Sequence, residues 1–540
     1  MRVSPSFVAA LAVLAGCAGT QGGAGTAPTS ARPLTHAERT NYLETSKYTD
    51  VIAFLDSLKA MNAPLAYGSI GRTTENRDLP FVIASRPLVH TAAEAKATGK
   101  LIVYVQGNIH AGEVEGKEAL QALIRDLAFA RGANVLDSII LVAVPIYNAD
   151  GNERFLPQER SRGSQNGPEM VGQRPNAQSF DLNRDYIKAE APETRASLRM
   201  FNEWNPDVFV DLHTTDGSFH GYALTYSPSL HPSAPLGDFS RILLNELRQR
   251  VRSRDGYETF DYGNFNDGGG REVSTDTLHG GWYTYEHLPR YGTNYYGLRG
   301  RISVLSEAYS HDPFERRVKS TYSFVRQLLS LVAERSAEIH NMERMADAEL
   351  AGASRPAIAL KSGFPKQASS APVIYELLER TGDTLRTQPG VPKGMRRTGR
   401  YLTKPMPVFD RFVPTLVRPM PAMYLVADTA ALARLRLHGV VAEPAGSSVR
   451  GTVEHFAIDS IARSPRPFQG HSEVRLQGHW EGGGAPQSWQ GWYVVRTSQP
   501  LGRVAMYLLD PESDDGLFAW NLFDADLAQR RSPVLRVMAP

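Results

Sequence analysis

Short apolar runs alternate with stretches of helical spacing from residue 34 to about residue 349. Four of the runs are rich in β-branched and apolar residues without strict alternation, which is typical of strands covered on both faces. They are residues 101–106, 138–145, 207–212 and 302–308. Apolar residues at helical spacing predict helices over residues 113–130 and 321–342. The alternation predicts an α/β domain, which we place at residues 34–350.

The pattern changes after residue 350. We predict a linker at residues 351–370, followed by short apolar runs that are separated by Pro and Gly. The runs are residues 400–408, 422–427, 492–497 and 503–509. They predict a smaller β-rich domain over residues 371–540, with one helix near residues 429–438. Residues 264–270 are predicted to be a flexible glycine-rich loop, and residues 511–516 a polar surface turn.

The first residues have the pattern of an export signal. Arg2 is followed by an apolar run at residues 7–15, which has the length of a signal-peptide core and is too short to span a bilayer. The run ends in Leu-Ala-Gly-Cys17, which resembles the bacterial lipobox, where the cysteine becomes the lipidated first residue. We therefore expect a lipoprotein signal at residues 1–17, a flexible tether at residues 18–33 and a lipid-anchored protein of the bacterial cell envelope. The alternative is a soluble signal peptide with an incidental cysteine.

The composition limits the kinds of partner that the chain is expected to bind. The chain has 540 residues, a formal net charge of +2 and 42% hydrophobic residues, as an ordinary large globular protein does. The near-neutral charge gives no reason to expect nucleic acid or an anionic membrane surface as partner. Cys17 is the only cysteine, so no intrachain disulfide forms, and core packing and any metal must hold the fold. Membrane attachment is expected through the lipid anchor only, and the oligomeric state is not indicated.

Polar side chains follow the predicted strands at the ends where open α/β sheets bind ligands. His110 and Glu113 follow the first strand, residues 147–151 (Tyr-Asn-Ala-Asp-Gly) end the second, His213 ends the third, and Glu307 lies in the fourth. His110 and Glu113 are three residues apart at a strand-to-helix junction, so both can point into one cavity. Zinc accepts imidazole and carboxylate, and catalytic zinc keeps three protein ligands and one open position. We predict one zinc ion per chain, although each histidine alone is also consistent with a hydrogen-bonding loop residue.

These motifs resemble, in order, those of the zinc carboxypeptidase family, the carboxypeptidase A and B relatives. Residues 110–113 (His-Ala-Gly-Glu) resemble the family's His-x-x-Glu motif, and residues 148–151 its Asn-Pro-Asp-Gly turn with Ala in place of Pro. Residues 181–186 resemble its Asp-x-Asn-Arg-Asn-aromatic segment, with Asp185 where Asn is usual. The resemblance covers roughly residues 42–335. It implies a mixed sheet flanked by helices and a metallopeptidase activity.

The resemblance also implies roles for single residues. His110, Glu113 and His213 would bind zinc, the His₂Glu ligand set known from carboxypeptidase A. Asn183 and Arg184 would hold the C-terminal carboxylate of a peptide substrate, for which a guanidinium fork is well matched. Arg184 is alternatively only an ion-pair partner of neighbouring aspartates.

Two further roles concern catalysis and closure. Glu307 would be the general base; alternatively it is a structural carboxylate paired with an arginine. An arginine before Asn183 would polarise the scissile carbonyl. Arg162 fits best by spacing, although it also reads as part of a solvated loop, and Arg160 and Arg174 are alternatives. A tyrosine would close over the substrate, and Tyr285 is the nearest by count in a stretch that also holds Tyr283, Tyr291, Tyr295 and Tyr296.

Three functions fit this reading. The first is a zinc-dependent metallocarboxypeptidase acting on peptides outside the cytoplasm. The second keeps the zinc and changes the substrate, as an amidase or deacylase of cell-wall stem peptides or acylated amino acids. The third, of another class, is a catalytically inactive peptide-binding module. The joint presence of His110, Glu113, His213 and Glu307 favours an enzyme over the inactive module.

Overall fold

The computed structural model of the protein describes residues 32–265, 280–352, 355–382, 391, 393–446 and 449–538. The predicted signal peptide with Cys17, and all but the last two residues of the predicted tether, therefore lie outside the described residues. The same holds for the glycine-rich loop after Phe265. None of the described helices combines the length and the apolar composition needed to span a bilayer.

The described helices are distributed along the whole chain. They are α1 (His36–Arg39), α2 (Tyr48–Ala60), α3 (Ala92–Ala97), α4 (Glu115–Ala128), α5 (Ala149–Glu153), α6 (Gln158–Ser161), α7 (Pro192–Trp204), α8 (Gly237–Asp255), α9 (Gly292–Leu298), α10 (Phe314–Glu334), α11 (Ser336–Ala351), α12 (Thr429–His438), α13 (Gly502–Leu509) and α14 (Asp524–Leu527). Short 3₁₀ helices cover Val135–Asp137 and Leu182–Arg184.

The described strands fall into two groups. Those before residue 310 are β1 (Leu65–Arg72), β2 (Asp78–Ala84), β3 (Leu101–Gly107), β4 (Ile139–Val144), β5 (Leu156–Pro157), β6 (Met170–Val171), β7 (Val208–Thr214), β8 (Leu224–Pro228), β9 (Thr259–Asp261), β10 (Asn264–Phe265), β11 (Trp282–Tyr283) and β12 (Ile302–Ala308). Those after it are β13 (Ala357–Gly363), β14 (Ser369–Arg380), β15 (Met395–Phe409), β16 (Val413–Pro419), β17 (Met423–Val426), β18 (Glu443–Pro444), β19 (Val453–Arg463), β20 (Val474–Gly482), β21 (Tyr493–Arg496) and β22 (Val534–Val537).

An eight-stranded mixed sheet forms the centre of the first part, in the order β1-β2-β4-β3-β7-β12-β8-β9. Its four middle strands, β4, β3, β7 and β12, run parallel to one another. They are the four strands that the apolar runs predict, and all their residues are buried. Helices cover the sheet: α4 packs on β3 and β7, and α10 packs against α4 and α8. The predicted mixed α/β fold is therefore confirmed.

The region after residue 355 is β-rich, as predicted. Its strands form a six-stranded sheet in the order β18-β21-β17-β22-β19-β20 and a two-stranded sheet of β13 and β16. A four-stranded sheet, β10-β11-β15-β14, combines strands from both parts of the chain. Helix α12 covers the predicted helix, Thr429–His438. Strand β13 lies inside residues 351–370, the stretch that the sequence predicts as a linker.

Three local predictions are wrong. Residues 321–342 are not one helix, because α10 and α11 meet at Arg335, whose backbone (φ −99°, ψ 13°) is not helical. Residues 503–509 form helix α13 rather than a strand, since a short apolar run does not distinguish the two by period. The turn at residues 511–516 is not on the surface, because Asp515 is fully buried against Arg290.

Candidate metal centre and substrate cavity

The carboxyl ends of the parallel strands meet at one edge of the sheet and bring the predicted ligands together. His110 lies in the loop after β3, and Glu113 lies two residues before α4. His213 lies near the end of β7 and Glu307 near the end of β12, and these two residues are directly paired across the parallel strands. Residues far apart in the chain therefore share one buried cavity because strand direction and register are fixed.

Three side-chain atoms converge at a single point. The Nδ1 atom of His110 lies 3.1 Å from Oε1 of Glu113, Nδ1 of His213 lies 3.1 Å from Oε2 of Glu113, and the two Nδ1 atoms are 3.2 Å apart. A tetrahedral zinc ion with bonds of about 2.0–2.1 Å separates its ligand atoms by about 3.3 Å. The donor types and the size of this triangle fit zinc. The three residues form a group that can hold a metal ion.

The outer nitrogen of each histidine faces a carboxylate. Nε2 of His110 lies 2.9 Å from Oδ1 of Asp181, and Nε2 of His213 lies 2.9 Å from Oδ2 of Asp211. Such carboxylates hold the proton on Nε2, which leaves the lone pair of Nδ1 free for a metal. Glu113 is fixed in turn by the backbone N–H of Thr214, which donates to Oε2 at 3.1 Å.

Arg162 lies behind Glu113. One guanidinium nitrogen is 2.9 Å from Oε1 of Glu113, and the other donates to the carbonyl oxygens of Thr214 and Thr215. Burial raises the pKa of Glu113, but the positive charges of Arg162 and His110 outweigh burial and leave that pKa well below its ordinary value. Glu113 therefore stays an anion, as a metal ligand must.

Arg174 lies nearer the cavity. It donates to Oδ2 of Asp181 at 2.8 Å and comes within 3.5 Å of Oε1 of Glu113. Its side chain is 35% exposed, against 9% for Arg162. Among the described residues that line the cavity, Arg174 is present and Arg162 is not. The Arg174 guanidinium is thus the more accessible to a bound molecule. Arg160 does not line the described part of the cavity either.

Asn183 and Arg184 line the same cavity as the three converging residues. The side-chain oxygen of Asn183 accepts a hydrogen bond from the backbone N–H of Gly292 at 2.9 Å. The Arg184 guanidinium lies 3.9 Å above the ring of Tyr291 and is 20% exposed. Its approach to Asp181 is only 4.0 Å, so the aspartate does not occupy the guanidinium fork. A planar cation held by ring stacking keeps its donors available for a carboxylate.

Glu307 and Tyr285 complete the cavity wall. Burial raises the pKa of Glu307 well above its ordinary value; His213 counteracts this rise, and Glu113 and Asp216 add to it. The Tyr285 ring packs edge-on against Tyr262 and tilts against Tyr291. The hydroxyl of Tyr285 is 3.5 Å from Oδ1 of Asn294, at the limit of a hydrogen bond. Tyr283 does not line this part of the described cavity, whereas Tyr291 does.

Comparisons with known proteins agree on one family. Residues 51–290 match the zinc carboxypeptidases (Peptidase_M14). This region belongs to the zinc carboxypeptidase family. Carboxypeptidase 2 of Trichophyton rubrum is 23% identical over 520 residues, which is 90% of this chain and 85% of that protein. Carboxypeptidase 2 of Trichophyton tonsurans is 23% identical over 524 residues, with the same coverage. The chain is therefore a metallopeptidase.

Parts of solved carboxypeptidases are also similar to this chain. A metallo-carboxypeptidase from Burkholderia cenocepacia has 18% identity and a TM-score of 0.39, covering 54% of this chain and 70% of that chain. A metallo-carboxypeptidase from Pseudomonas aeruginosa, in complex with (2-guanidinoethylmercapto)succinic acid, has 16% identity and a TM-score of 0.38, covering 55% and 70%.

The sequence analysis gave Asp181, Asp211 and Asp216 no role beside the predicted metal ligands. Asp211 is two residues before His213 in a strand, a spacing that places both side chains on one face and that signals the pair. Asp181 begins a recognised motif but faces His110, 71 residues away, which no local pattern reveals. Asp216 lies just after β7 and accepts a hydrogen bond from Tyr262 at 3.1 Å.

Proposed function

We propose that the chain is a zinc-dependent carboxypeptidase that removes single residues from the C-terminus of peptides outside the cytoplasm. One observation carries this proposal. The metal-ligand triangle, the carboxylate of Glu307 and the guanidinium of Arg184 all line one cavity of about 70 Å³. An anion-binding fork close to a metal and a base suits cleavage next to a free carboxylate.

His110, Glu113 and His213 would hold the zinc ion, which supplies Lewis-acid catalysis when bound. Neutral imidazoles and an ionised carboxylate are the required ligand states. The Asp181 and Asp211 carboxylates orient the two rings, and Arg162 holds the carboxylate of Glu113 in place. These contacts keep the ligand atoms about as far apart as the ion requires, without reorganisation.

Asn183 and Arg184 would hold the terminal carboxylate of the substrate. The guanidinium is positioned by stacking on Tyr291 rather than by a close ion pair, so binding a carboxylate does not require breaking one. This binding would fix the terminal residue with its peptide bond towards His213 and Glu307. Tyr285, on the same wall, would cover the bound residue and reduce the access of water.

Glu307 would act as the general base and then return the proton to the leaving amine. A base needs a pKa near the working pH, and burial moves the pKa of Glu307 upward from the range of ordinary carboxylates. We assign the polarisation of the scissile carbonyl to Arg174 in preference to Arg162. Arg174 lines the cavity, whereas three acceptors already occupy the guanidinium of Arg162.

The cellular site of action is proposed from the first residues. The lipobox-like Leu-Ala-Gly-Cys17 sequence supports export and anchoring by a lipid on Cys17, followed by a polar tether. Separating broken cells into membrane and soluble fractions, with a Cys17→Ser variant as control, tests the anchor. Loss of membrane association in the variant supports the anchor, and unchanged association removes it.

Hydrolysis of a peptide library tests the activity. We expect release of single C-terminal residues from free-acid peptides and about 10²–10⁴-fold slower release by Glu307→Gln with equal zinc content. The matched control is Glu343→Gln, a buried carboxyl with a raised pKa beside Asp207, just before β7 and at the end opposite His213. It should retain the activity.

The other outcomes separate the alternatives. Equal cleavage of amidated peptides would contradict the role of Arg184. Zinc without peptide cleavage would redirect the search to stem peptides and acylated amino acids, which also end in a carboxylate. Stoichiometric zinc with no hydrolysis of any of these substrates would identify an inactive binding module.

A further inference from the structure

A second, much larger cavity adjoins the catalytic one. It measures about 1150 Å³, and it shares Arg184, Tyr285 and Tyr291 with the catalytic cavity of about 70 Å³. The described residues that line it include neither Glu307 nor any of the three converging metal-site residues. Its other walls come from residues 284–290 and from the region after residue 360. We call this space the distal groove.

The position of Arg184 shows on which side of the scissile bond the distal groove would lie. The scissile bond would lie at the metal-ligand triangle and Glu307, and the terminal carboxylate at Arg184. The distal groove begins at Arg184 and does not reach the triangle. A group that fills the groove is therefore attached to the terminal residue, on the side away from the scissile bond.

Each acidic residue that lines the described groove has a polar partner within the protein. Glu473 lies 2.7 Å from Arg290, which also pairs with the buried Asp515, and Glu512 lies 2.7 Å from Arg418. Asp514 faces Nε2 of His287 at 3.1 Å and accepts a hydrogen bond from the hydroxyl of Tyr507. Glu286 remains, and it accepts a hydrogen bond from the hydroxyl of Tyr291 at 3.1 Å.

Two cations of the groove have no such partner. Neither Lys361 nor Arg475 forms an ion pair with any residue that the structure describes, and both line the groove. Arg184 adds a third positive charge at the entrance from the catalytic cavity. Lys361 and Arg475 are therefore free to pair with an anionic occupant.

The size and the aromatic lining indicate a large occupant. Pockets for drug-sized ligands measure about 300–1,000 Å³, so a space of about 1150 Å³ exceeds what one amino-acid side chain fills. Phe364 and Phe468, which are 39% and 38% exposed, offer ring faces in the same groove. Aliphatic parts of a bound chain can pack on these rings while its carboxylates reach Lys361 and Arg475.

We propose that the distal groove binds an acidic branch on the side chain of the substrate's terminal residue. The chain then prefers peptides whose last residue carries a long anionic substituent over those with a neutral substituent of equal length. This inference rests on the proposed carboxypeptidase function, because Arg184 sets the position of the terminal residue. The specificity comes from Lys361 and Arg475, which the region after residue 355 contributes.

Binding of the released terminal residue tests the groove without hydrolysis. The ligands are lysine carrying a Glu-Glu chain on Nζ and lysine carrying a Gln-Gln chain, titrated calorimetrically into the full chain. We expect about tenfold tighter binding of the acidic ligand, since two exposed ion pairs each make a small contribution. The preference should shrink with added salt.

The variant Lys361→Glu/Arg475→Glu should lose the preference. The matched control is Arg131→Glu/Lys393→Glu, which reverses the same number of charges on exposed residues outside the groove. Equal binding of both ligands by the unmodified chain, or an unchanged preference in the Lys361/Arg475 variant, overturns the proposal.

Hydrolysis separates this inference from the proposed function. Peptides ending in either branched lysine, or in plain lysine, are cleaved in parallel. Cleavage of all three at equal kcat/KM would support the proposed carboxypeptidase function and contradict the proposed specificity of the groove. If none of the three peptides is cleaved but the acidic ligand still binds selectively, the groove specificity is supported and the carboxypeptidase function is contradicted.

Discussion

At the scale of single residues, the site depends on which atoms are already engaged. Asp181 and Asp211 face the Nε2 atoms of the two histidines, so both Nδ1 atoms are directed to one point. The two arginines near Glu113 differ in the same respect. Arg162 donates hydrogen bonds to Glu113 and to two backbone carbonyls, whereas part of the Arg174 side chain is exposed.

This difference predicts that alanine substitutions of the two arginines have different effects. Arg174→Ala should lower kcat by about 10²–10³-fold, as the loss of an oxyanion-stabilising donor does, with little change in thermal stability. Arg162→Ala should destabilise the fold by about 3–5 kcal/mol, because it removes the nearest cation of the buried Glu113 carboxylate. Steady-state kinetics, thermal unfolding and zinc content distinguish the two. Full stability with the larger loss of kcat in Arg162→Ala would transfer the catalytic role to Arg162.

At the scale of elements, the approach of α4 to the sheet fixes the distance between Glu113 and His213. Glu113 precedes α4 and His213 lies near the end of β7, and the two elements touch at Gly116 and Leu212. A Cβ atom on Gly116 would lie 2.6 Å from Cβ of Leu212. Gly107 makes the same contact from the other side, since its Cβ would lie 3.0 Å from the backbone carbon of Gly116. Only glycine permits this packing.

We therefore expect Gly116→Ala to push α4 away from β7. The unfolding free energy should fall by about 1–3 kcal/mol, as for other overpacked cores. Zinc should also be held less tightly, because Glu113 moves relative to His213. The control is Gly237→Ala at the start of α8, where an added Cβ meets no atom within 4 Å. Denaturant unfolding and chelator competition measure both effects; unchanged zinc affinity in Gly116→Ala would show that the loop after β3 absorbs the shift.

At the scale of the molecule, the two sequence regions share one core. Every residue of α13 is buried, and several of them pack in the same hydrophobic cluster as the strands of the mixed sheet. Arg290 pairs with the buried Asp515 at 2.8 Å, and Arg503 pairs with Glu349. His438 bridges Ile187 and Tyr295. The β-rich region is therefore part of the folded unit of the peptidase, and it also walls the distal groove.

A chain ending at residue 352 should not fold to a stable peptidase. Removing the region after residue 352 would expose the apolar residues of the shared core and leave Arg290 and Glu349 without their ion-pair partners. We expect aggregation or proteolytic sensitivity, and no cooperative thermal transition, where the full chain shows one. A soluble fragment with stoichiometric zinc and cooperative unfolding would contradict a shared core.

The buried His438 predicts an acid response. Its Nε2–H donates to the carbonyl of Ile187 at 3.1 Å, and its Nδ1 accepts from the hydroxyl of Tyr295 at 2.7 Å. Burial lowers its pKa to about 3. The unfolded state binds a proton below about pH 6.5 and the folded state does not, so this stability is present above pH 6.5 and is lost as the pH falls towards 3.

The rate of loss should approach about 1.4 kcal/mol per pH unit for this histidine. His438→Gln should be less stable than the wild type at pH 7.5 by about 1–3 kcal/mol, the cost of disturbed buried hydrogen bonds. The difference should shrink as the pH falls below 6.5. Urea unfolding at several pH values measures this, with the exposed His90→Gln as control. A constant difference between pH 7.5 and 4 would contradict a neutral buried His438.

Much of the site could be predicted from the sequence because the patterns that indicate it are local. Apolar runs located β3, β4, β7 and β12, and strand polarity implied that their carboxyl ends hold the ligands. The His110–Glu113 spacing and the Asn183–Arg184 pair are short-range patterns that depend on the identity of few residues. Burial then decided the cases that local pattern leaves open. Local pattern did not predict the helix at residues 503–509 or the burial of Asp515 against Arg290, because the neighbours of these residues come from distant parts of the chain.

The sequence by itself determined the residue types at the strand ends, the family and the mixed α/β class, since each follows from identity, order and period. The tertiary structure alone decided three matters: the convergence of the two histidine Nδ1 atoms on Glu113, the accessibility of Arg174 over Arg162, and the joining of both regions in one core. Each depends on distances between residues that are far apart in the chain. Such distances follow from packing against many neighbours at once, which a one-dimensional pattern does not contain.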